Sequence, residues 1–135
     1  MRLLPAALAL AALPLAADGS TEDGRVLLLP GDRWVADPAT GASFRLSGIT
    51  DQRCPADVAC VWEGMIRLEI EVVPAPDDSR RIVLCNACAD GAPTARLPGM
   101  VLRLEGLEPS TAALARKARL PVLQDYTAGI ALTAP

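Results

Sequence analysis

Polar and apolar residues alternate most regularly between positions 65 and 73. Ile66, Leu68, Ile70 and Val72 fall on one side of this stretch, and Arg67, Glu69 and Glu71 on the other. A two-residue period with opposite charges on its wet side predicts an antiparallel strand buried on one face. Phe44 and Leu46 alternate with Ser43, Arg45 and Ser47 in a second strand over 43–49, and Tyr126, Ala128, Ile130 and Leu132 share one face of a third over 126–133. Shorter candidates at 25–29, 33–36, 80–85 and 100–107 are each bounded by Pro, Gly or Asp. Pro30-Gly31-Asp32 reads as a tight turn in which Pro holds φ and Gly takes the positive φ. Asp37-Pro38-Ala39-Thr40-Gly41 reads as a second turn, and residues 74–79 as the turn of a hairpin joining 65–73 to 80–85. About seven strands at this spacing predict an all-β fold, a small antiparallel sandwich or barrel. Ser110-Thr111 followed by 112–120 is rich in helix formers and bracketed by Pro109 and Pro121, which predicts one short helix before the last strand.

The N-terminus follows a different pattern. Arg2 precedes an apolar run from Leu3 to Leu13, and Pro14-Leu15-Ala16-Ala17 leads into the polar stretch Asp18-Gly19-Ser20-Thr21-Glu22-Asp23. This order is that of a secretory signal peptide, with cleavage after Ala17 and a mature chain of residues 18–135. The run is shorter than the roughly 20 apolar residues that cross a bilayer, and Pro5 and Pro14 interrupt it. No membrane span is expected in the mature chain, and no cysteine follows the run to carry a lipid. The expected location is the periplasm, or the medium in a cell with a single membrane. Residues 18–135 suffice for one domain, which should fold without a cofactor.

The 135 residues carry a formal charge of −3, which argues against nucleic acid as a partner. The basic group Arg116-Lys117-Arg119 reads as a solvated face. One Phe, one Tyr and two Trp leave few stacking platforms, which weighs against sugars and single-stranded nucleic acid.

The four cysteines form two close pairs, Cys54/Cys60 and Cys85/Cys88. An even count in an exported protein points to disulfides, and four cysteines allow three pairings. In the predicted hairpin Cys85 lies beside the region of Leu68 to Ile70. Cys60 then falls too far from Cys88 for the short Cα–Cα reach of a disulfide. Two local bridges, Cys54–Cys60 and Cys85–Cys88, are therefore expected.

The densest chemistry lies in Asp51-Gln52-Arg53-Cys54-Pro55-Ala56-Asp57-Val58-Ala59-Cys60-Val61-Trp62-Glu63-Gly64. Physically this is a stapled loop feeding the long strand. Pro55 stiffens its first turn, and Trp62 can lie against the bridge or the core. Gly64 permits a bulge or a close backbone approach where the strand begins. Asp51 and Arg53 can pair, or each can tie down loop amides and carbonyls. The run resembles the signature of a family of small exported bacterial proteins, often lipoproteins, with Asp-Ser-Arg-Cys-Pro followed by Cys-x-Trp-x-Gly. The matching residues are Asp51, Arg53, Cys54, Pro55, Cys60, Trp62 and Gly64, and the likeness extends to Val73. It recurs more weakly in residues 104–109 and in the strand from Tyr126. Gln52 replaces the usual Ser, and the lipid-bearing cysteine is missing, so membrane anchoring does not carry over. The resemblance implies export and fold, and no activity.

The chain has no histidine, which removes the commonest general base and the imidazole ligands of zinc and copper. Asp51, Asp57 and Glu63 are the remaining carboxylates of the loop region, but glycosidase chemistry needs two at a defined separation across a cleft. The two-residue spacer of Cys85-Asn86-Ala87-Cys88 is that of thiol–disulfide exchange proteins, whose reactive thiolate usually sits at a helix N-terminus. Here Gly91 and Pro93 oppose a helix and Asp90 opposes a thiolate, so a turn-closing staple is the simpler reading. A four-cysteine metal site has irregular spacing for zinc, and no metal or cofactor is expected. The first functional reading is a non-catalytic exported module that binds a protein, an envelope component or a small ligand, or stabilises an assembly. A loop rigidified by Cys54–Cys60 is also a shape that protease inhibitors use. The alternative is a thiol–disulfide or redox-responsive protein using Cys85 and Cys88.

Overall fold

The computed structural model describes residues 24–61, 64–73 and 79–135. The segment read as a signal peptide, Trp62, Glu63 and most of the turn after Val73 lie outside them. Eight strands form two four-stranded antiparallel sheets, an all-β sandwich. One sheet orders β2 (Trp34–Ala36), β3 (Ser43–Gln52), β4 (Met65–Val73) and β5 (Arg80–Cys85) as a meander. The other places β1 (Arg25–Pro30) beside β8 (Thr127–Thr133), then β7 (Met100–Glu108) and β6 (Thr94–Leu97). The chain therefore changes sheets after β1 and after β5, and its first and last strands are neighbours.

The alternation read in β4 sets the core. Leu68, Ile70 and Val72 are fully buried and meet Leu46, Phe44 and Leu84 across the strands. Leu29, Leu102, Ile130 and Leu132 close on them from the opposite sheet. β1 carries a continuous apolar run, yet Leu29 is buried while Val26 and Leu28 face solvent. The pleat of a single strand decides this, not the hydrophobicity of each residue.

Both long strands contain an irregularity in register. In β3 it falls between Leu46 and Gly48, and in β7 between Leu104 and Gly106. An extra residue in one strand reverses which side chains face inward. Asp51 is consequently paired opposite Ile66 on the inner face, and Leu107 is buried at the same end of the opposite sheet. These two shifts bring the motif residues to the mouth of the sandwich.

Several expectations change. Pro30-Gly31-Asp32 is a tight turn, the Arg33 amide donating to the Pro30 carbonyl at 3.3 Å, but it carries the chain from one sheet to the other, and the positive φ belongs to Asp32 at 59°. Gly31 is needed for a different reason: a Cβ there would collide with the carbonyl of Leu123. Cys85 pairs with Arg67, one residue outside the region of Leu68 to Ile70. The strand β6 was not anticipated, because its four residues lie between Pro93 and Pro98. The helix α1 is a single turn, Thr111–Ala115, with the Ser110 hydroxyl accepting from the Ala113 amide at 3.2 Å. Leu114 is its one buried side chain, so nothing beyond it rewards further helix. Lys117 and Arg119 do not merely face solvent: they clamp Asp125, Arg119 with two bonds of 2.7 Å.

Asp37, after β2, is the buried charge of the core, with 0% of it exposed. It pairs with Arg25 of β1 and accepts from the Thr40 hydroxyl and the Ala39 amide, joining the two sheets at one end. The Arg25 bond outweighs desolvation and lowers its carboxyl from 3.8 to about 2. A carboxylate lowered on folding adds stability that is complete above its unfolded pKa and lost as pH falls through the folded one. Asp37→Asn should therefore cost about 2 kcal/mol at neutral pH, since Arg25 can still reach water. Urea unfolding of both proteins should show this gap unchanged above about pH 5 and shrinking as pH falls from there through the folded value of about 2. A gap independent of pH would contradict the assignment.

Candidate ligand groove beside the disulfide loop

Arg53 organises the motif region. Its Nε and Nη2 donate to the two Asp51 oxygens at 2.8 Å each, and its backbone N–H to Asp51 Oδ1 at 3.1 Å. The same guanidinium reaches the other sheet, donating to the carbonyls of Leu107 at 3.0 Å and Pro109 at 2.8 Å. The two alternatives read from the sequence, pairing with Asp51 and tying down carbonyls, are thus both realised. Burial opposes charge on Asp51, but the bonds from Arg53 prevail and hold its carboxyl below the usual range. Tyr126, just before β8, has its phenol pushed up by burial first and then by the charge of Asp51 and a hydrogen bond to it.

The disulfide loop stands on this base. Cys54 and Cys60 are bonded, with Cα atoms 5.9 Å apart, and the Val58 amide closes a turn onto the Pro55 carbonyl at 3.2 Å. That turn curls the loop tip. Gly64 permits the close approach expected of it: a Cβ there would sit 2.6 Å from Arg53 Cα.

Between the loop and α1 lies an open cleft of about 330 Å³. Pro55, Ala56, Leu114, Ala115 and Pro121 supply apolar wall. Asp51, Arg53 and Tyr126 form its polar end, with Asp57 and Arg119 also in the lining. The structure thus brings together Asp51, Arg53 and Pro55 from the motif with Leu114 and Tyr126, which the sequence did not single out as site residues. Their only sequence signals were helix formers after a capping Ser and an isolated Tyr. Carboxylate chemistry is poorly served, because Asp51 is neutralised by Arg53 and serves as an anchor.

No family model, curated protein or solved structure matches this chain.

The second disulfide does not line the cleft but lies at the same end of its sheet, where Asn86 bonds the Gly64 carbonyl beside Arg53. Cys85 and Cys88 are bonded, with Cα atoms 5.7 Å apart, at the end of β5. Asn86 extends the strand pairing with its side chain: its Oδ1 accepts from the Ile66 amide at 2.7 Å and its Nδ2 donates to the Gly64 carbonyl at 3.2 Å. Cys85 is fully buried and Cys88 half-buried. Arg67 Nη1 lies 3.9 Å from Cys88 Sγ and 3.3 Å from Asp90. Among the described residues no group of His, Cys, Asp and Glu is arranged to hold a metal ion.

Arg53→Lys should be nearly as damaging as Arg53→Ala, because an ammonium cannot bond a carboxylate bidentately and reach two carbonyls as well. Each should lower stability by about 2–3 kcal/mol with both bridges intact, read by chemical denaturation. Full retention of stability in the lysine variant would contradict the clamp.

Proposed function

We propose that this protein is an exported, non-catalytic binding module that takes its ligand in the cleft between the Cys54–Cys60 loop and α1. The observation that carries this reading is the convergence of the motif residues Asp51, Arg53 and Pro55 with Leu114 and Tyr126 on one cleft. The loop is held by a disulfide and by Arg53, so little ordering is left to oppose binding. Its mixed lining suits a partner group with an apolar body and a polar end. Export is supported by the N-terminal pattern, by two disulfides, which belong to oxidising compartments, and by the resemblance of the motif to small exported bacterial proteins. No helix among the described residues is long and apolar enough to cross a membrane.

The redox alternative is less well served by the surroundings of Cys85–Cys88. A thiolate arriving from solvent would attack Cys88 Sγ, breaking the S–S bond and expelling Cys85 as a thiolate. Cys85 is 0% exposed, and the nearby cation, Arg67, lies beside the other sulfur. An unhydrated, unpaired thiolate is a poor leaving group.

Two measurements test these readings. Fragment screening by amide correlation spectra should give shifts clustered at Asp51, Arg53, Thr111 and Leu114. Ala115→Trp, which fills the cleft from an exposed position, should abolish them. Hits that ignore the cleft, or survive Ala115→Trp, would sink the proposed site. Titration with dithiothreitol should leave both bridges closed until near-ultraviolet circular dichroism collapses. Opening of Cys85–Cys88 with the tertiary signal intact would move the function to the redox reading.

A further inference from the structure

The outer face of the β2–β5 sheet carries an ordered row that neither the core nor the cleft uses. Trp34 pairs with Arg45, Arg45 with Glu71, and Glu71 with Arg81, so one side chain from each strand lies in a single line across the sheet. The Arg45 guanidinium lies over the Trp34 indole, 5.1 Å from its centroid. Arg45 Nε donates to Glu71 at 3.1 Å, Arg81 Nη2 to the other Glu71 oxygen at 3.2 Å, and Arg45 Nη1 to Asp32 at 3.4 Å. Each charge is fixed by its neighbours, and the row spans roughly 14 Å at the usual strand spacing.

Trp34 is the exception in this polar row, and 49% of it is exposed. An indole left half in water contributes less to folding than one in the core. It is amphipathic, with a flat apolar ring and one N–H donor. Around it the face alternates donors and acceptors: Arg45 and Arg81 against Asp32 and Glu71. Two positive and two negative groups cancel, so the row has no net charge to attract a polyanion. Protein-binding hot spots also use Trp and Arg, but they sit at the desolvated centre of an interface whose core is depleted of charge. Here the ring stands at an edge strand with charged groups beside it. A ligand matching such a surface has a flat apolar patch ringed by groups that both donate and accept hydrogen bonds. A pyranose has this chemistry, with C–H bonds on its face and hydroxyls around its rim.

We propose that the outer face of the β2–β5 sheet docks a pyranose glycan, one sugar stacking on the exposed part of Trp34 while hydroxyls bond along the row of Asp32, Arg45, Glu71 and Arg81. The few aromatics of the composition do not oppose this, because a single well-placed ring suffices for one stacking contact. The face is separate from the cleft and stands whether or not the cleft binds anything.

The test is co-sedimentation of the purified protein with three insoluble glycans: peptidoglycan sacculi, chitin and cellulose. At least one should retain the protein. Trp34→Ala should weaken that retention about ten-fold or more, the loss of a stacking contact together with its buried area. Trp34→Tyr, which keeps a ring, should restore most of it. Ala115→Trp, in the cleft, should have no effect, and melting temperatures of all variants should show that the fold is kept. Retention by none of the three glycans would overturn the proposal, and so would equal retention by Trp34→Ala. Loss of retention in Ala115→Trp alone would assign the glycan to the cleft instead. Trp34-dependent capture of a protein from an envelope extract, with no glycan retained, would likewise overturn the carbohydrate assignment.

Discussion

One guanidinium joins the motif loop to both sheets. Arg53 follows β3 in one sheet and bonds carbonyls at the end of β7 in the other, while its remaining donors hold Asp51. A sandwich core is apolar through its middle, but at its ends the chain must leave the sheets, and backbone carbonyls there need partners. Arg53 satisfies two of them at once and fixes the loop that follows. Arg25 and Asp37 join the two sheets at the other end of β3. Leu46, Ile70 and Leu132 supply the cohesion between these two polar ties.

The clamp explains why the cleft has its shape. Cys54 follows Arg53 directly, so the disulfide loop starts from a residue tied to both sheets. α1 begins two residues after Pro109, whose carbonyl Arg53 also holds. Loop and helix are therefore positioned from the same guanidinium, and the space between them is kept open without a rigid lid. Cys85–Cys88 closes the end of β5 nearby, where Asn86 continues the strand ladder with its side chain onto Ile66 and Gly64.

The two outer faces differ in kind. That of the β1–β8–β7–β6 sheet exposes Val26, Leu28 opposite Gly129, and the Arg103–Glu105 ion pair. That of the β2–β5 sheet is polar and ordered by ion pairs, with Trp34 as its aromatic element. Cleft and polar face lie on different parts of the sandwich, so one small domain can present both.

Alternation placed β4, most of β3 and β8, bounding Pro, Gly and Asp residues placed β7, and together they predicted a small all-β sandwich or barrel. A one-sided strand declares itself through its own side chains. The local bridges Cys54–Cys60 and Cys85–Cys88 were legible too, because the reach of a disulfide is short. β6 was not legible, since four residues between prolines carry too short a pattern and are held by their partner β7. The register shifts near Gly48 and Gly106 were equally hidden. An extra residue is recognised only against the strand it fails to match, and these shifts decide that Asp51 faces inward. The role of Gly31 depends on Leu123, ninety-two positions later along the chain. That Arg53 serves Leu107 and Pro109, and that Trp34, Arg45, Glu71 and Arg81 form one row, are likewise facts of pairing between distant segments. Local pattern specifies which residues are strands and which face is apolar. Only the packing of one strand against another decides which polar groups meet, and the candidate sites consist of those meetings.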